Sequence, residues 1–257
     1  MTRQTQSRNE MGEEIVERPS WLLPAILGAI TVVISLVFLY RYFGPTVDDL
    51  AGNTPTASIA TRPIAISIGG HRMVIPENYT QFPRDRKAGE SSGVSLYALL
   101  PRFTPFTLRT EDEFADNGPD SRVIHIKIEA FRSPLSEEER LERIYLGRVR
   151  DASGRLGPAQ LMRYEFADQS GRFGTEDLFV GQLSDGTRAV FMCVKETAVI
   201  ENPSCRRDFS LSDGLEVRYR FKRSRLEDWR EINAGVVALI EDFLAAGETQ
   251  ALAGPGG

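Results

Sequence analysis

Histidine is nearly missing from this chain of 257 residues: only His71 and His125 occur. Cysteine is equally scarce, at Cys193 and Cys205. Lysine stands only at Lys87, Lys127, Lys195 and Lys222, so arginine carries nearly all the positive charge, a bias read as genomic rather than mechanistic. Each scarcity excludes something. Two cysteines without a neighbouring histidine fall short of a zinc ligand set. No H-E-x-x-H, C-x-x-C or phosphate-cradling glycine loop occurs. A nucleophilic triad would have to use one of the two histidines. His71 lies beside a tight turn and His125 sits between Ile124 and Ile126 on the polar side of a strand pattern, both positions that suit solvated residues. The formal net charge of −5 argues against a chain held to nucleic acid by bulk electrostatics. No catalytic residue, cofactor or metal is expected, and the chain is read as a non-enzyme.

Charge of either sign is absent between Arg18 and Arg41. The run over 21–40, WLLPAILGAITVVISLVFLY, is almost wholly apolar. Twenty helical residues rise about 30 Å, the thickness of a bilayer's hydrocarbon core. A signal-peptide core is shorter and ends near a small-residue cleavage site, whereas this run ends in bulky residues. A retained transmembrane helix over 21–42 is therefore expected, meeting membrane lipid along its length. Trp21, Tyr40 and Tyr42 stand where interfacial aromatics belong. Arg3, Arg8 and Arg18 precede the span and Arg41 alone follows it closely, which favours a cytoplasmic N-terminus. The rest of the chain would then lie outside the cytosol, in a periplasmic or extracellular location, anchored in the inner (plasma) membrane. Both cysteines fall in that part, and a Cys193–Cys205 disulfide is expected in such a compartment.

The remaining pattern divides into a short cytoplasmic tail at 1–20, a flexible tether at 43–62, an exported domain at 63–247 and a disordered tail at 248–257. The domain reads as mostly antiparallel strands. Ile64, Ile66 and Ile68 alternate, Gly69 and Gly70 turn the chain, and Met73 and Ile75 alternate back, which sets Ile66 opposite Met73. Strands are expected over 94–100, 122–131 and 161–166, then hairpins joining 176–183 to 187–195 and 205–211 to 215–222. Ser136 with Glu139 forms a capping box for a helix to about Gly147. Ser224 with Glu227 forms another, opening a long amphipathic helix to about Ala246 with Gly247 as its stop. The fold class is α+β: an antiparallel sheet packed by a long C-terminal helix behind an N-terminal membrane helix.

Candidate chemistry is thin. Gly89 to Gly93 matches G-x-S-x-G around Ser91, but the match precedes a strand rather than joining a strand to a helix, so the elbow that exposes a nucleophile is missing. Glu111, Asp112, Glu113, Asp116 and Asp120 cluster without an EF-hand spacing and read as a solvated acidic loop. The loop over 76–92 is long and carries Arg84, Arg86 and Lys87, a place for a partner contact. Arg218, Arg220 and Lys222 alternate along one strand and form a candidate partner or anion contact, unless carboxylates on a neighbouring strand pair with them. These features point to a membrane-anchored binding or interaction protein of the bacterial envelope, meeting an envelope protein partner. The rival readings are an exported serine hydrolase using Ser91 and a carrier of an apolar ligand between sheet and helix.

Overall fold

The computed structural model describes residues 7–8, 14–15, 19–131, 133–168, 170–171, 173–197 and 199–252. The chain divides into two units, Met1–Ala51 and Gly52–Gly257. In the first, α1 (Leu22–Phe43) is a 22-residue helix whose only charged residue is Arg41, in its last turn. The Thr31 hydroxyl donates to the Leu27 carbonyl at 2.9 Å, so this polar group is satisfied inside the helix. A short α2 (Val47–Ala51) follows, with Thr46 and Asp49 bonding reciprocally across its first turn.

Among the described residues the second unit holds two sheets. The smaller is built from β1 (Pro63–Ile68), β2 (His71–Pro76) and β3 (Gly89–Ser91), in the order β2-β1-β3. Gly69 and Gly70 take φ values of 60° and 85°, as a two-residue hairpin turn with both positions left-handed requires. The register sets Ile66 opposite Met73 and Ile64 opposite Ile75, as the alternation predicts. β3 pairs with β1 in parallel.

The larger sheet has eight strands, all antiparallel. They are β4 (Gly93–Leu99), β5 (Val123–Glu129), β6 (Arg155–Leu156), β7 (Met162–Glu165), β8 (Glu176–Gln182), β9 (Arg188–Val194), β10 (Ser204–Ser212) and β11 (Leu215–Lys222). Their order is β4-β5-β11-β10-β9-β8-β7-β6. One face packs on a long helix, α5 (Trp229–Leu252), and carries the main core. Trp229, Phe191, Tyr219, Phe221 and Ile240 fill that layer and are at most 1% exposed. The Trp229 and Phe191 rings meet edge to face at 5.6 Å. Side chains thus fill this layer around Trp229, while a cavity of about 890 Å³ lies at its margin, between Ala234, Val237 and Glu241 of α5 and Leu183, Phe209 and Leu211.

Three boundaries differ from expectation. The long helix begins at Trp229, not Ser224, because the Ser224 hydroxyl donates to the Pro119 carbonyl instead of capping, and the chain winds as a 3-10 turn over Arg223–Asp228. Gly247 does not stop the helix, which continues to Leu252, so part of the expected disordered tail at 248–257 is helical and 253–257 lie outside the described residues. A Cβ on Gly247 would collide with the Arg72 backbone, so this glycine serves close helix–strand approach. Third, the expected tether over 43–62 contains α2, and from Gly52 onward it bonds to the domain. The Thr56 amide donates to the Gln81 carbonyl at 3.0 Å, and Ser58 and Arg62 both bond to the buried Glu77 carboxylate.

Candidate functional site

The sheet face opposite α5 is covered over only half its width. The capping box predicted at Ser136 forms: its hydroxyl accepts the Glu139 amide at 3.1 Å and the Glu139 carboxylate accepts the Ser136 amide at 3.0 Å. The helical stretch that follows starts as α4 (Glu137–Arg140) and continues as a wider turn over Leu141–Tyr145. Leu141 and Phe166 pack with Leu178, Val180, Val190 and Met192, which cover the outer side of β8 and β9. β9 and β10 pair only at Phe191↔Arg207, Met192↔Arg206 and Cys193↔Cys205. Beyond that point α4 takes over their unmatched backbone groups. Glu137 accepts the Val190 amide at 2.8 Å, and Arg140 donates to the Asp208 carbonyl at 2.7 Å. Glu137 also grips the buried Arg207 at 2.9 and 2.7 Å.

The other half is open and polar over β11, β10 and the near part of β5, while Phe106 and Phe114 cover Tyr97 and Leu99 of β4 and Val123 of β5. Strand register fixes its rows. Tyr97, His125, Arg220 and Arg206 stand side by side, and the next row holds Ser95, Lys127, Arg218 and Asp208. Cross-strand neighbours of this kind lie about 5 Å apart at Cβ, within reach of one another's charge. Most of these charges are engaged. Lys127 pairs with Glu129 at 2.7 Å, Arg206 with Glu176 at 2.8 Å, and Arg218 with Asp208.

The three residues of the predicted basic row therefore behave differently. Arg218 is neutralised by a neighbouring strand, the alternative that the sequence left open. Lys222 is buried, and its ammonium donates to Asn117 Oδ1 at 2.8 Å and the Asn202 carbonyl at 3.3 Å. Arg220 is exposed, and its guanidinium has no hydrogen bond or ion pair among the described residues.

His125 belongs to this cluster, which the sequence alone did not show. It is half-buried rather than solvated, and neither ring nitrogen has a hydrogen-bond partner among the described residues. Burial, then the charges of Arg220 and Lys222, push its pKa down to about 4, so the ring is neutral near pH 7. The same burial and Arg220 lower Lys222, opposed by Asp116. His125, Arg220, Asn202 and Ser204 line both of two adjoining cavities. One, of about 600 Å³, opens toward Lys127 and Arg206. The other, of about 360 Å³, is lined also by Asp116, Asn117 and Lys222.

Asn202 and Ser204 come from the loop joining β9 to β10. Cys193 and Cys205 close the base of that loop, their sulfurs at bonding distance and their Cα atoms 4.0 Å apart. Val199, 91% exposed, stands on the same loop.

The other candidates are placed elsewhere. Ser91 Oγ donates to the Gly93 carbonyl at 2.8 Å, and no hydrogen bond joins it to either histidine. His71 Nε2 lies 2.9 Å from the Asp213 carbonyl oxygen and 3.2 Å from Ser212 Oγ. The hydrolase reading thus lacks its nucleophile–base pair. The acidic stretch forms α3 (Glu111–Ala115), and no group of three metal-ligating side chains occurs among the described residues. The loop over 76–92 is ordered by 3-10 turns, and its buried Asp85 accepts the Ser95 amide at 2.9 Å, which covers part of the β4 edge.

No protein-family model matches the chain, and no curated protein matches it in sequence. Two solved structures resemble it. An immunity protein of the Stenotrophomonas maltophilia type IV secretion system is 18% identical, with a TM-score of 0.49, over 71% of this chain and 93% of that one. The iron-regulated outer membrane lipoprotein FrpD of Neisseria meningitidis is 15% identical, with a TM-score of 0.44, over 75% of this chain and 98% of that one.

Proposed function

We propose that the chain is a non-catalytic binding protein of the cell envelope, anchored by α1 in the inner membrane with its N-terminus cytoplasmic, whose exported domain holds an acidic protein partner on the open half of the outer sheet face. The observation that carries this is Arg220: a charged guanidinium left without a counter-charge at the centre of an uncovered, cation-rich sheet face, in a chain of net charge −5. A partner surface bearing carboxylates complements such a face in charge, and the exposed Ile200, which lines the cavity of about 600 Å³ beside His125, adds apolar contact. The anchor reading is supported by the length and composition of Leu22–Phe43 and by the arginines that precede it. A bonded cysteine pair suits an oxidising compartment.

Site-specific photo-crosslinking in intact cells tests the contact. A crosslinker placed at Lys127 or Arg218 is expected to trap one envelope protein, identified by mass spectrometry. The same crosslinker at Leu156, on the β6 edge, is expected to trap none. Equal yields at these positions, or only products shared with an anchor-only control, would overturn it.

A further inference from the structure

We propose that the cavity of about 360 Å³ beside His125 is an oxyanion site, which takes a carboxylate, phosphate or sulfate group between the Arg220 guanidinium and the His125 ring. This names the chemistry the contact face recognises, and so rests on the reading above. Two neighbouring side chains here have unused hydrogen-bonding capacity. Arg220 has five N–H donors and no acceptor among the described residues. The imidazole of His125 faces the same space with both nitrogens unpartnered. Lys222 adds charge from the cavity wall, with two of its three protons held by Asn117 and Asn202. A bidentate oxyanion suits the fork of an arginine and relieves its repulsion with Lys222.

The groups around His125 set how binding depends on pH. β11 contributes Arg220 and Lys222; β10 contributes Arg206, itself paired with Glu176. Lys127 lies on the same strand, paired with Glu129. β4 contributes Tyr97, a phenol whose pKa burial pushes up to about 12 and which therefore stays neutral. The loop after α3 contributes Asp116, the one opposing charge lining the cavity. A bound anion adds a second negative charge and favours the imidazolium, which gains a second donor. Binding therefore takes up a proton at His125, and affinity rises as the pH falls from 7 toward 5, by at most about tenfold per unit.

The test uses the full chain in detergent, titrated with sodium sulfate against chloride at constant ionic strength. The two histidine rings are followed by NMR. His125 is expected to shift saturably and to titrate at higher pH with sulfate present, while His71 stays unchanged. Arg220→Gln is expected to weaken binding by about tenfold or more, with an unaltered amide spectrum showing that the sheet is intact. His125→Gln is expected to bind sulfate with affinity that no longer follows pH. Parallel titrations with inorganic phosphate, glycerol phosphate and N-acetylaspartate identify whether a free ion, a lipid headgroup or an acidic side chain fits best. A shift that does not saturate, that His71 shares, or that survives Arg220→Gln would overturn the site. Failure here while the Lys127 or Arg218 crosslinks persist removes the oxyanion site and leaves the protein contact standing.

Discussion

At His125 burial and two cations act in the same direction, and the result is measurable in the protein's stability. The folded value of about 4 lies below the ordinary 6.5. As the pH falls, the unfolded chain therefore takes up the proton first. The stability owed to the neutral ring is complete above about 6.5 and is lost progressively toward pH 4, to a total of at most about 3 kcal/mol. His125→Gln is expected to flatten this part of the profile, seen as a smaller difference between urea midpoints at pH 7 and pH 4.5. A slope equal to that of the unaltered chain would place the sensitivity elsewhere. The alternation in 218–222 made Arg218, Arg220 and Lys222 legible as one row. It did not reveal which would be neutralised. That depends on Asp208 and Glu129 across the sheet and on Asn117 from a distant loop, and register cannot be read from one strand.

At the scale of elements, two contacts oppose the simplest sequence rules. Gly247 sits inside α5, where alanine would gain about 0.5–1 kcal/mol of helix propensity. Its contact with the Arg72 backbone reverses that preference. Gly247→Ala is expected to lower stability by about 1–2 kcal/mol net, read as a drop in the urea midpoint at unchanged m-value. A neutral or stabilised variant would show that the helix can shift away from β2.

The 52–62 segment resembles a tether in composition, yet it is fastened by Glu77. Burial raises that carboxyl's pKa, but hydrogen bonds from Ser58 and Arg62 and the charges of Arg62 and Arg86 outweigh it, and the net shift is downward from 4.5. The fastening is therefore complete above about pH 4.5 and fails as acid protonates the group. Glu77→Gln is expected to expose 52–62 to proteases at pH 7, with cleavage mapped by mass spectrometry and the remaining domain intact. Resistance equal to that of the parent chain would show that the backbone bond from Thr56 to Gln81 suffices.

At the scale of the whole molecule, the cysteine pair and the apolar helix make a joint prediction about compartment. Replacing Cys193 and Cys205 by serine is expected to cost about 3 kcal/mol, because the bond closes a short loop in the unfolded chain. A reductant should bring the parent protein to the same stability. A phosphatase reporter fused after Gly257 should be active only outside the cytosol, and salt washes should leave the protein in the membrane fraction. A reporter active only in the cytosol would reverse the proposed topology.

The fold class, the hairpin at Gly69 and Gly70, and the strands from 123 to 222 other than β6 were present in the order of residues alone. Alternation and turn chemistry act over a few neighbours and need no distant partner. The same holds for the apolar run before Arg41. Only the tertiary structure decided that the described strands of the second unit divide into two sheets, that α4 covers part of one face, and that His125 stands beside Arg220 and the loop closed by Cys193 and Cys205. Those outcomes depend on which strand lies beside which and on what covers each face. Many pairings satisfy the same local pattern, and packing selects one of them.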